Sequence, residues 1–184
     1  MDHTQPVFFY DLGSPQCYIV AETIMAALAV VPEWEPVLGS ELAAPSGAEI
    51  DRGQIERQAE ELGLQPIRWP AAWPPDTKPA MLATTYAKQI GRAVAFSLAA
   101  FRQTFAGGRD LGDENTVLIA GAACEMHPTA LRKGIELRST HKALAQATRR
   151  ARDAGVTALP AIQIGAGVYH TIPEATEALE GAVR

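Results

Sequence analysis

The 184-residue chain carries 16 basic and 21 acidic residues, a formal charge of −5, with 47% apolar and 20% charged positions. That length and apolar share suffice for a globular core without disulfide or metal staples. The negative balance argues against nucleic acid or an anionic membrane surface as the main partner. The only short basic cluster, Arg149, Arg150 and Arg152, reads as a solvated helix face. The longest apolar stretch, 19–31, contains Glu22, stops at Pro32 and is too short for a membrane span. The N-terminus passes into Val7-Phe8-Phe9-Tyr10, a strand pattern rather than a signal peptide. Cys17 and Cys124 form no C-x-x-C pair, so a cytoplasmic, reducing setting is expected.

In chain order, residues 7–10 are β-branched and aromatic, as a buried strand requires. Asp11-Leu12-Gly13-Ser14-Pro15 then combines a turn, an N-cap serine and a proline at the first helical position, where its missing N–H is harmless. A helix is predicted from 15 to about 31, and a second strand over 34–38 makes a βαβ unit with a parallel pair. From 48 to 154 no strand pattern appears. Helices are predicted over 50–62, 80–90, 93–105, 114–125, 128–135 and 140–154, with glycines near their ends. Residues 64–79, rich in proline and tryptophan, read as a rigid loop. Strand character returns at 159–164, followed by the turn Gly165-Ala166-Gly167 and a short partner at 168–169. Thr171 and Glu174 then form a capping box ahead of a last helix running to about 183. The order is βαβ, helices, ββα. It predicts an α/β thioredoxin fold from 1–45 and 155–184, with an all-helical insertion domain at 46–154.

Two features carry chemistry together. Ser14-Pro15-Gln16-Cys17 opens a helix, whose partial positive charge and free N–H groups favour an anion such as a thiolate. Leu159-Pro160 precedes the late strand. A proline there, expected to be cis, offers the preceding backbone N–H and C=O to an extended ligand.

The stretch Phe8-Phe9-Tyr10-Asp11-Leu12-Gly13-Ser14-Pro15-Gln16-Cys17-Tyr18 resembles the opening of the group formed by 2-hydroxychromene-2-carboxylate isomerases and kappa-class glutathione transferases, within the DsbA-like superfamily. The resemblance continues through Trp73-Pro74-Pro75-Asp76-Thr77, Gly108 to Asp113, and Gly155 to Pro160. It implies a site for glutathione or another low-molecular-weight thiol, with Ser14 hydrogen-bonding the sulfur and Leu159 pairing with the peptide backbone. Pro15, Gln16, Trp73, Asp76, Pro160 and His170 complete the implied binding set. Asp76 stands where the group often has Asn, and 167–171 replaces its Gly-x-Asp-Arg-like turn, which holds the γ-glutamyl end. The activity implied is isomerisation or transfer on a small conjugated or aromatic electrophile, by a homodimer.

Two other readings remain. Cys17 stands at the second cysteine of a DsbA-type Cys-Pro-x-Cys motif, which leaves a thiol-disulfide oxidoreductase of degenerate Ser-Pro-Gln-Cys type. A non-catalytic binding module using the Leu159–Pro160 edge is the third. Taken singly, Ser14-Pro15 is also just a good helix start, Cys17 and Cys124 small core residues, and Trp69 and Trp73 packing residues. His3, His127, His141 and His170 share no metal-like spacing, and no metal is expected.

Overall fold

The computed structural model describes residues 5–43 and 50–182, so the expected boundary at 45/46 lies outside the described residues. Strand β1 (Val7–Tyr10) lies between β2 (Glu33–Pro36) and β3 (Ala161–Ile164), and β4 (Gly167–Tyr169) forms the other edge, in the order β2-β1-β3-β4. The β1–β2 pair is parallel; β1–β3 and β3–β4 are antiparallel. Alternation along β1 divides the core. Phe8 and Tyr10 enter the main cluster with α1 (Pro15–Ala27), α3 (Lys78–Gln89) and α4 (Ala93–Phe101). Phe9 joins a second cluster with Ala147 and Ala151 of α7 (Arg138–Asp153). The main cluster runs without a break from the sheet into the inserted helices, so the two parts share one core. A buried ring of hydroxyls ties them: Tyr10 Oη lies 3.1 Å from Thr84 Oγ1 and 2.7 Å from Ser97 Oγ, which are 2.8 Å apart. Each hydroxyl can give one hydrogen bond and take one.

Four boundaries differ from the sequence reading. Helix α1 ends at Ala27 rather than near 31, because buried Leu28 turns extended and brings the chain back to pair Glu33 with Val7. Strand β2 stops at Pro36. Val37 N–H still bonds Tyr10 O of β1, but the next two donors leave the ladder: Leu38 N–H bonds the Thr148 hydroxyl and Gly39 N–H the Asp11 carboxylate. The helix expected over 93–105 is α4 followed by a π turn, Arg102–Ala106, and the Phe105 carbonyl accepts from Arg68 N–H at 2.7 Å. Strand β3 starts at Ala161, two residues later than expected, since Pro160 has no N–H for the ladder. The remaining helices, α2 (Arg52–Glu61), α5 (Glu114–Ala123), α6 (Pro128–Glu136) and α8 (Ile172–Ala182), start and stop within two residues of expectation over the described residues. No helix among the described residues is long and apolar enough to cross a membrane.

Candidate functional site

The register assembles the site at one end of the sheet. Phe9 faces Ala161, and Ile162 faces Tyr169. The end of β1, the start of β3 and the end of β4 therefore coincide. The Asp11–Ser14 turn leaves β1 there, Leu159–Pro160 enters β3 there, and His170 follows β4 there.

Ser14 caps α1 with extended backbone, and its Oγ accepts from Cys17 N–H at 3.2 Å. The same hydroxyl donates to Gln16 Oε1 at 3.3 Å. Pro15 is buried and has no N–H to place, and Tyr18 N–H bonds the Ser14 carbonyl. The Gln16 N–H is left without an acceptor among the described residues. At the same end of the sheet, the Leu159–Pro160 peptide is cis, as expected. Leu159 is half-buried, and neither its N–H nor its C=O makes a backbone hydrogen bond among the described residues. At this partial exposure both groups are free to pair with water or with a ligand. His170 is exposed, and its Nδ1–H donates to the Pro160 carbonyl at 2.9 Å, which fixes the ring against the hairpin.

Asp11, a turn residue that also belongs to the family-like stretch 8–18, organises this end of the sheet. Its side chain is buried, Oδ1 accepting from Gly13 N–H at 2.9 Å and Oδ2 from Gly39 N–H at 2.9 Å and Thr77 Oγ1 at 3.3 Å. One carboxyl group thus joins the turn before α1, the segment after β2 and the Pro-rich loop. Burial pushes the carboxyl above its ordinary value, against the opposing pull of these donors.

The Pro-rich loop packs on the turn through Pro75 and Thr77, which border Gly13. Half-buried Trp73 stands edge-on to Trp69 and Phe105, with centroids 5.5 Å and 5.8 Å away, and Phe105 stacks on Tyr18 of α1. The loop is therefore held from both sides. Asp76 is exposed; its Oδ1 accepts from Lys78 N–H at 3.1 Å and so serves the start of α3. With Leu38, Ser40, Glu41, Pro75, Thr77 and Lys78 it lines a cleft of about 330 Å³, to which Ser14 does not contribute.

Cys17 points inward. It is fully buried, and burial pushes its thiol up to about 12. A thiol at that value has almost no thiolate near neutral pH, and exchange chemistry at Cys17 has no support from this position. Both cysteines are free and buried. Titration of the native protein with an aromatic disulfide reagent should therefore register almost no thiol, and the full content of two only after denaturation. Prompt reaction of one equivalent in the native state would return Cys17 to consideration. No group of three His, Cys, Asp or Glu side chains able to hold a metal occurs among the described residues.

The chain is similar in structure to a 2-hydroxychromene-2-carboxylate isomerase, with a TM-score of 0.83 and 14% identity over 98% of this chain and 94% of that one. It is also similar to the cytosolic disulfide reductase DsbM from Pseudomonas aeruginosa, solved with GSH (TM-score 0.68, 17% identity, 98% and 99% coverage). A third likeness is to the oxidoreductase DsbA from Xylella fastidiosa (TM-score 0.64, 12% identity, 97% and 86% coverage). At these identities the likenesses concern the fold. No curated protein matches the chain by sequence. The model of the DSBA-like thioredoxin domain matches residues 7–183, nearly the whole chain, and the protein belongs to that family.

Proposed function

We propose that the protein is a thiol-dependent isomerase or transferase acting on a small conjugated or aromatic electrophile, with Ser14 directed at the thiol sulfur. The observation that carries this reading is the Ser14 hydroxyl at the positive end of α1, on the sheet end that also presents the unpaired Leu159 peptide. A bound low-molecular-weight thiol, such as glutathione, supplies a nucleophilic sulfur. Ser14 Oγ is held in place by the Cys17 N–H, while its proton makes only a long bond to Gln16. Turning that proton toward a sulfur anion costs little, and the free Gln16 N–H and the helix dipole favour the same charge. Leu159 N–H and C=O pair with the backbone of a peptide-like thiol, as an added strand would. Trp73 borders the space for the electrophile. Serine at position 14 and the buried Cys17 thiol both count against a disulfide-exchange role.

Wild-type protein is expected to be retained on immobilised glutathione. Ser14→Ala should weaken thiol affinity about tenfold, the scale of one hydrogen bond to a charged group. Ser14→Thr, which keeps both the cap and the hydroxyl, should restore most of it. Calorimetric titration checks this. Wild type without affinity for glutathione, its diethyl ester or pantetheine would remove the reading.

A further inference from the structure

The two amides that lead into α8 are satisfied by the chain's own carboxylate, while the Ile172 N–H has no acceptor among the described residues. Glu174 Oε2 accepts from His170 N–H at 3.2 Å and Thr171 N–H at 3.1 Å, and Glu174 N–H returns to Thr171 Oγ1 at 3.4 Å. Ala175 N–H bonds the Thr171 carbonyl, and Pro173 has no N–H to offer. This is the capping box read from the sequence, built beside the site. His170 holds the Pro160 carbonyl with its ring and Glu174 with its backbone. The carboxylate is thus tethered through a single residue to the edge that Leu159 presents. Its donors hold the Glu174 carboxyl below its ordinary value, so it is ionised near neutral pH. Among the described residues no lysine or arginine pairs with it.

We propose that this site selects a thiol carrying no carboxylate at the end that reaches α8, that is, a neutral or cationic thiol rather than an anionic one. The inference rests on the thiol reading above. A ligand carboxylate arriving at α8 meets two donors already taken and a like charge beside them. A neutral head, or an ammonium group, meets an acceptor instead. At the opening of α8, elsewhere a natural place for an anion, the chain's own carboxylate already stands.

Glutathione and its diethyl ester share one thiol and one backbone and differ in their carboxylates, so they isolate the charge. Titrated into the full chain, the ester and pantetheine should each bind about threefold or more tighter than glutathione at low salt, the scale of an exposed charge contact. The gap should shrink as salt is raised. Glu174→Gln keeps one oxygen able to accept from both N–H groups but removes the charge, and glutathione should then approach its ester. Glutathione binding as tightly as its ester in wild type overturns the inference while leaving the thiol reading intact. So does a gap that neither salt nor Glu174→Gln changes. The salt series on wild type decides the matter even if the variant folds poorly. Absence of binding by all three thiols overturns both.

Discussion

Asp11→Asn is expected to lower the unfolding free energy by about 2–3 kcal/mol, within the range for leaving a buried donor opposed to another donor. Both carboxyl oxygens accept from backbone N–H groups, Gly13 on one side and Gly39 on the other, with Thr77 as a third donor. Asparagine has one oxygen. Its NH₂ group must then face one of those N–H groups inside the protein, where water does not reach it. A urea midpoint that falls at unchanged slope would report this as stability. A loss below about 0.5 kcal/mol, ordinary for a surface change, would show that Asp11 does not join these segments. The variant also carries a pH signature. Because the folded carboxyl sits above its ordinary 3.8, it stabilises fully below that value, and the contribution is lost as pH rises through the folded value. The difference between wild type and Asp11→Asn should therefore be largest at the acidic end and narrow as pH rises. Since the same carboxyl sets the turn that aims Ser14, thiol affinity should fall with it.

Gly13→Ala should cost about 1–3 kcal/mol, as overpacking does in a closed site. A Cβ at Gly13 would stand well inside the contact distance of Thr77 Cγ2, 3.4 Å from Asp11 Oδ1 and 3.6 Å from Pro75 Cγ. Thr77 has little freedom to retreat, because its hydroxyl is bound to Asp11 and it opens α3. The expected consequence is displacement of the Pro-rich loop from the turn. Thr77→Ser removes the obstructing methyl and keeps the hydroxyl. The double variant Gly13→Ala/Thr77→Ser should recover about 1 kcal/mol or more relative to additivity, a coupling typical of residues in contact. Strictly additive losses in a denaturation cycle would mean that the loop and the turn do not meet as described.

Much of this protein is written in local chemistry, and that part was readable in the linear chain. The βαβ…ββα order follows from aromatic and β-branched runs set off by proline and glycine. The cap of α1 is a serine followed by proline, and the cap of α8 is a threonine three residues before a glutamate; both form as read. Each device acts within one helical turn, so its neighbours in sequence are its neighbours in space. The end of α1 was not readable this way. Residues 26–31 are apolar and suit a helix, and only the burial of Leu28 and the pairing of Glu33 with Val7 end it at Ala27. Nor does local sequence say which way Cys17 points; the packing of α1 against the sheet turned it inward. Asp11 is the clearest case. Its partners lie 28 and 66 residues away, and neither stretch carries a mark of the pairing. A buried carboxyl is tolerable only where several donors converge on it, and that convergence exists only once the sheet, the segment after β2 and the Pro-rich loop are folded together.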